Sequence, residues 1–145
     1  MFRFLIVGLV VLMAGCGVLE EPQEYYPSRD SLVADGAIER GWVPAWFPPS
    51  ASRINEIHDL DTAEVWIRFE LTSTDLESID ACEQDPAVAF GDSHGPRHWD
   101  PAWWMIDEEH RWTGYTCDWD VNGQARRGAM VVALDEGVAL YWEEL

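Results

Sequence analysis

Residues 64–71 carry the pattern that most restricts how this chain can fold. Apolar side chains occupy every second position, at Val65, Ile67, Phe69 and Leu71. The positions between them are mostly charged: Glu64, Trp66, Arg68 and Glu70. Successive side chains of a β-strand point to opposite faces of its sheet. The alternation therefore predicts a strand with one face in the core and a charged face on the other side.

Four other stretches are predicted as strands. Residues 52–59 precede the strand predicted at residues 64–71, and the Asp-rich turn Asp59-Leu60-Asp61-Thr62 joins the two strands. In the C-terminal third, Asn122-Gly123 is a strong signal for a tight hairpin turn. The strands predicted there are 113–119, 126–134 and 138–143, which together make a C-terminal β-meander.

Two short helices are expected beside the sheet. One begins with Asp30 or Ser31 as its N-cap and breaks at Gly36. The other opens at Thr74-Asp75-Leu76-Glu77, which has the spacing of a capping box, and ends near Cys82. The predicted fold is α+β, with an antiparallel sheet of about five strands and one or two short helices.

The N-terminus has the pattern of an export signal. Arg3 precedes an apolar run over residues 4–13, which has the length of a signal-peptide core and is too short to span a bilayer. The run ends in Leu12-Met13-Ala14-Gly15-Cys16, which resembles the lipobox of bacterial lipoproteins, with Met13 where Leu is usual. The resemblance implies that Cys16 is acylated and becomes the mature N-terminus.

A second resemblance lies in residues 41–62. The segment joins Gly41-Trp42-Val43-Pro44, then Pro48-Pro49-Ser50-Ala51, then His58-Asp59-Leu60-Asp61-Thr62. This order of motifs looks like that of small uncharacterised bacterial lipoproteins. The resemblance implies a domain of the cell envelope and carries no activity with it.

These patterns divide the chain into three parts. Residues 1–15 are predicted as a signal peptide, 16–27 as a lipidated N-terminus with an acidic tether, and 28–145 as a single globular domain. The predicted location is the bacterial cell envelope, with the membrane contacted through the lipid. Gly17, rather than Asp, follows the cysteine. In a Gram-negative host this indicates the outer membrane, with the domain facing the periplasm.

The charge balance excludes several classes of function. The chain has 27 acidic residues and 9 arginines with no lysine, for a net charge of −18. Nucleic acid is excluded as a partner, because phosphate backbones repel such a surface. Schiff-base chemistry and P-loop phosphate binding both need a lysine. Adaptation to salt and a G+C-rich codon bias both explain the missing lysine.

The cysteines predict a disulfide. If Cys16 carries lipid, Cys82 and Cys117 remain as a pair in an oxidising compartment, where bonding is the usual outcome. A catalytic thiol is the alternative interpretation. Neither cysteine has a neighbour at the Cys-x-x-Cys spacing of metal sites.

Three polar motifs resemble parts of catalytic or metal sites. Gly91-Asp92-Ser93-His94-Gly95 matches the pattern of a hydrolase nucleophile elbow, but Pro96 follows where a helix must begin. The turn at residues 59–62 resembles the nucleophile loop of haloacid-dehalogenase phosphatases, which also need a lysine. His94, His98 and His110 lie among acidic residues. Each motif is better explained as a polar loop or turn. No catalytic residue, metal site or cofactor is therefore predicted.

A tryptophan cluster is the predicted recognition surface, and its members are Trp99, Trp103, Trp104 and Trp112. Exposed tryptophans stack on sugars or on protein partners. The predicted function is non-catalytic binding or scaffolding of a protein or glycan by an envelope lipoprotein. The alternative is an acidic inhibitor of a cationic enzyme such as a lysozyme, since charge steers such encounters. A hydrolase using the Ser93 region is the third hypothesis.

Overall fold

An antiparallel sheet is the frame of the domain. The computed structural model describes residues 22–88, 95–96, 101–104 and 110–143. In these residues the sheet has seven strands, in the order β1-β2-β3-β7-β6-β5-β4. The strands are β1 (Gln23–Ser28), β2 (Ser52–His58), β3 (Val65–Glu70), β4 (Cys82–Gln84), β5 (Thr113–Val121), β6 (Gln124–Ala133) and β7 (Val138–Glu143). The helices are α1 (Arg29–Asp35) and α2 (Ser73–Glu77).

The α+β prediction is confirmed, and the sheet is larger than expected. Strands β5, β6 and β7 form the predicted meander, and β2 and β3 form the predicted hairpin. The two additional strands, β1 and β4, are the edges of the sheet. An edge strand pairs on one side only and buries few side chains. Tyr26 is the single buried residue of β1, and β4 has none, so neither shows an alternating pattern.

Strand β1 begins within the segment that was predicted to be a tether. Gln23 pairs with Ile57, and the pairing continues to Ser28 opposite Ser52. Residues from 23 onward therefore belong to the sheet, although the tether was predicted to extend to residue 27. Tyr26 holds this strand to the domain, because its buried ring donates a hydrogen bond from Oη to Asp35 Oδ2, 3.0 Å away.

Both helices begin earlier than the sequence suggested. Ser28 caps α1 through reciprocal bonds with Ser31, and Gly36 ends the helix in the left-handed conformation. Thr72 caps α2 through the same reciprocal arrangement with Asp75. Helix α2 therefore opens two residues before the predicted position, and Cys82 lies in strand β4 rather than at a helix end.

Both faces of the sheet are buried. The first face is covered by α1 and the proline-rich segment, with Phe47 against Phe69 at a centroid distance of 4.3 Å. The second face has its own core of Ile57, Trp66, Trp104, Val131, Leu140 and Trp142. Trp66 is 1% exposed, so the face expected to be charged is core at this position, and Arg68 and Glu70 of the same face are partly exposed. Aromatic side chains from outside the sheet cover that face.

None of the described helices is long and apolar enough to cross a membrane.

Candidate functional site

The first face of the sheet changes from apolar to polar at one end. His58 is the last residue of β2, and the register aligns it with Val65 and then Val65 with Glu143 of β7. Directly opposed residues of neighbouring strands project to the same face. His58 and Glu143 therefore flank Val65 on the first face, and Glu56 precedes His58 on that face.

Glu56 and His58 form a buried pair. Glu56 Oε1 lies 2.8 Å from His58 Nδ1, and their side chains are 0% and 3% exposed. Burial raises the pKa of the Glu56 carboxyl, against the opposing effect of the hydrogen bond with His58. Glu56 Oε2 and His58 Nε2 are buried and have no hydrogen-bond partner among the described residues.

The segment that follows α1 covers this pair. Trp42 stacks on His58 with ring centroids 3.8 Å apart and an angle of 19° between the planes. The Arg40 guanidinium carbon lies 3.9 Å from the centroid of the Trp42 ring. Arg40 also forms an ion pair with Asp35 at the end of α1. The imidazole is thus held by a carboxylate at Nδ1 and by an indole over its plane.

Glu143 is the centre of a second buried network. Arg126 forms an ion pair with Glu143 Oε2, and Trp119 Nε1 and Tyr141 Oη donate to Glu143 Oε1. Burial raises the pKa of Glu143 and also that of Tyr141. Gly128 leaves room for the Tyr141 ring, because a Cβ at this position would lie 2.3 Å from the phenol oxygen. Three side chains thus contact one buried carboxylate.

Arg126 also connects β6 with two loops. Its NH2 donates to the Ala63 carbonyl over 2.8 Å, and its NH1 donates to the Gly41 carbonyl over 3.3 Å. Its Nε is buried and has no partner among the described residues. Arg126 therefore holds the β2–β3 turn and the loop before Trp42 beside the Glu56–His58 pair.

A cavity of about 150 Å³ lies between the two networks. Its lining includes Arg40, Trp42, His58, Asp59, Leu60 and Arg126. We call this space the His58 cavity. It is smaller than the roughly 300–1,000 Å³ of drug-sized ligand sites, so it fits one small group of a ligand rather than a whole substrate.

The lining favours binding over covalent chemistry. Its described residues include no serine, threonine, cysteine or lysine. A histidine oriented by a carboxylate is one half of a nucleophilic site, and the other half is the nucleophile that the histidine activates. Asp59 is committed to the turn, since its Oδ1 accepts bonds from the backbone N–H groups of Asp61 and Thr62. The prediction of an Asp-rich turn is confirmed.

Sequence reasoning missed this site. The sequence predicted residues 52–59 as a strand, without indicating which face of the sheet carries its polar residues. Glu56 and His58 lie opposite Ile67 and Val65 across the hairpin, and therefore on the same face of the sheet. The sequence did contain a signal for this site, namely a charged residue at a strand position that the alternation assigns to the core face.

The predicted tryptophan surface is largely core. Trp104 is 5% exposed and meets Trp142 edge to face, and Trp103 and Trp112 pack against the same second-face cluster. Trp104 is therefore not a residue of an exposed platform. Trp99 lies outside the described residues.

The predicted disulfide is present at the β4 edge of the sheet. Cys82 of β4 faces Cys117 of β5 directly, with the Cα atoms 4.0 Å apart. Beside it is a polar groove of about 560 Å³ along the β4 edge. The acids of this groove are Asp80, Glu83, Asp85 and Asp118.

Several predicted residues lie outside the described part of the chain. They are Cys16, Ser93, His94 and His98. His110 is described, and its Nδ1 lies 3.8 Å from Glu136 and 3.9 Å from Asp135. Within the described ranges, no group of three or more histidine, cysteine or acidic side chains is placed to hold a metal ion.

Taken together, the geometry defines an α+β domain with a small, polar, buried cavity at one end of its sheet. A family model described as the YbbD head domain matches residues 20–70, about a third of the chain. The match covers β1, α1, β2 and β3, and thus includes Trp42, Glu56 and His58. No curated protein and no solved structure matches this chain. Arg126 and Glu143 lie outside the matched span, so the His58 cavity joins the matched part to the C-terminal meander.

Proposed function

We propose that this protein is a cell-envelope lipoprotein whose domain binds its ligand without catalysis, through the His58 cavity. The observation that carries the proposal is a pair of buried nitrogen atoms, His58 Nε2 and Arg126 Nε. Both belong to residues that line the cavity, and neither has a partner among the described residues. Leaving a buried polar group unpaired costs about 1–3 kcal/mol, and a ligand group that bonds to it removes that cost.

The charges around the cavity favour a neutral ligand group. Glu56 is hydrogen-bonded to His58, and both arginines of the lining already have an acidic partner, Glu143 for Arg126 and Asp35 for Arg40. An anionic ligand would add negative charge to a chain whose net charge is −18. A hydroxyl or amide of a glycan or peptide both donates and accepts hydrogen bonds, and it has the size that the cavity admits.

The binding proposal is tested by NMR titration with N-acetylglucosamine oligosaccharides and with short neutral peptides. We expect shifts at the Trp42 indole and at residues 58–63, and we expect His58→Leu to abolish them. His110→Leu is the matched control, because His110 lies outside the cavity lining. Binding that is unchanged in His58→Leu would refute the assignment of the cavity.

The anchor proposal rests on the lipobox pattern ending at Cys16. One acyl chain binds a membrane reversibly, whereas two or more hold a protein stably. Replacing Cys16 by Ser should release the protein from the membrane fraction, and mass spectrometry of the wild type should show acylated Cys16. A soluble wild-type protein with unmodified Cys16 would contradict the proposal.

A second function is favoured by the acidic groove along β4. A hydrogen bond from the Ala87 backbone lowers the pKa of Asp85, and Arg127 lowers that of Asp118. Ionised acids along an exposed strand edge suit the loops of a cationic enzyme, as in an inhibitor of lysozyme. Lysozyme assays at 50 mM and 500 mM NaCl test this, because steered association weakens as salt rises. Inhibition should be lost in Glu83→Gln and retained in Glu70→Gln. If the wild type inhibits lysozyme at neither salt concentration, the inhibitor proposal is rejected.

A further inference from the structure

The chain enters the sheet at the end that carries the His58 cavity. Gln23, the first residue of β1, pairs with Ile57, one residue before His58. The β2–β3 turn at residues 59–64 and the β5–β6 turn at Asn122 and Gly123 project from this same end. We call this the proximal end, and we call the opposite end, with the β6–β7 turn at residues 134–137, the distal end.

We propose that the proximal end faces the bilayer that holds the lipid of Cys16, with Leu60 at the level of the lipid headgroups. This inference rests on the proposed lipid anchor. It follows from how few residues separate the anchor from the sheet, because residues from 23 onward are paired.

The length of the tether limits where the domain can lie. The seven residue steps from Cys16 to Gln23 span at most about 25 Å. Gln23 and Ile57 are opposed in an antiparallel ladder, in which Cα atoms lie about 5 Å apart, and Leu60 follows three residues later. The turn at residues 59–64 is therefore within reach of the membrane surface.

The distal end lies farther from Gln23, the residue at which the tether joins the sheet. Strand β7 runs from Val138 to Glu143, and these five steps add about 17 Å along the sheet. Leu134 lies in the turn before β7, beyond that distance. The two leucines are otherwise similar, with Leu60 54% and Leu134 48% exposed.

The chemistry of the proximal turn selects the lipid. Asp59 and Glu64 are buried, and the exposed residues of the turn are Leu60, Asp61 and Ala63. An exposed leucine gains by leaving water, whereas an exposed acid is repelled by anionic lipid. Zwitterionic headgroups such as phosphatidylethanolamine fit this surface.

The test places a fluorescent probe at each end of the full-length protein. Leu60→Cys and Leu134→Cys are labelled separately, which leaves the Cys82–Cys117 disulfide intact. The proteins are reconstituted into vesicles of phosphatidylethanolamine and phosphatidylcholine that contain a lipid with a spin label on its headgroup. We expect at least threefold stronger quenching at position 60 than at position 134, and less quenching at position 60 when anionic lipid is added.

The outcomes separate the orientation from the anchor. Equal quenching at both positions, or stronger quenching at position 134, in protein that floats with the vesicles would overturn the orientation and leave the anchor standing. Protein that does not float, or that takes label at Cys16, lacks the lipid. That result would overturn the anchor and the orientation together.

Discussion

The indole of Trp42 and the imidazole of His58 stack with ring centroids 3.8 Å apart. Trp42 follows the first helix, in an irregular segment, whereas His58 ends a strand of the sheet. Their contact joins the covering segment to the sheet at the point where the core becomes polar. It also fixes the plane of the imidazole, while Glu56 fixes its Nδ1 side. An orientation held from two directions is what a binding group needs.

The first prediction concerns the pH dependence of stability. Burial raises the pKa of Glu56 above its usual value of 4.5, so the folded state binds this proton more tightly than the unfolded state does. The corresponding stabilisation is complete below pH 4.5 and is lost as pH rises through the raised pKa. Glu56→Gln removes this titration, so we expect its stability to fall less than that of the wild type between pH 4.5 and 7.5.

Urea unfolding at several pH values measures this effect. Glu70→Gln is the matched control, since Glu70 is partly exposed and pairs with Arg53 at the surface. Asp85 and Asp118 have lowered pKa values, so the stability that they contribute is lost only as pH falls below their usual 3.8. Their window therefore does not overlap that of Glu56. Parallel profiles for Glu56→Gln and the wild type would contradict the prediction.

The second prediction concerns salt. Removal of residues 1–15 takes away Arg3 and no acid, which makes the net charge of the remaining chain −19. Like charges repel in the compact state, and the screening length falls from about 10 Å at 0.1 M to about 3 Å at 1 M salt. The melting temperature should therefore rise with NaCl over this range. A constant or falling melting temperature would show that the acids are already compensated.

The third prediction concerns the disulfide. Cys82 and Cys117 close a loop with a sequence separation of 35, for which the chain-entropy relation gives about 4 kcal/mol. Replacing both cysteines by alanine should lower the free energy of unfolding by a few kcal/mol. Hydrogen exchange should show β4 opening before the meander, because β4 has three residues and pairs only with β5. Equal protection of β4 and β6 in the variant would contradict this order.

The fourth prediction separates a core tryptophan from a recognition residue. Trp104 packs edge to face on Trp142 in the second-face core. Trp104→Ala should cost about 3–5 kcal/mol of stability, the range for deleting a buried aromatic side chain. Leu134→Ala is the surface control, with an expected change within about 0.5 kcal/mol. Wild-type stability of the Trp104→Ala protein would contradict the placement of Trp104 in the core.

Local patterns in the sequence predicted the central strands of the sheet, and the cysteines predicted the disulfide. Alternation in residues 65–71 and the Asn122-Gly123 turn depend on neighbouring residues alone, and the structure has β3, β5 and β6 where these patterns placed them. The Cys82–Cys117 bond followed from the cysteine count and the expected compartment. The signal and lipobox interpretation of residues 1–16 remains a prediction.

Tertiary structure decided what covers each face and what lies at the edges. Trp66 shares a strand parity with Arg68 and Glu70, so its burial follows only from the aromatic cluster around Trp104. Strands β1 and β4 pair on one side and lack a repeating pattern. The His58 cavity joins residues as far apart in sequence as Arg40 and Arg126. Local sequence sets the conformation of a segment, whereas burial and pairing depend on partners that only the folded chain brings together.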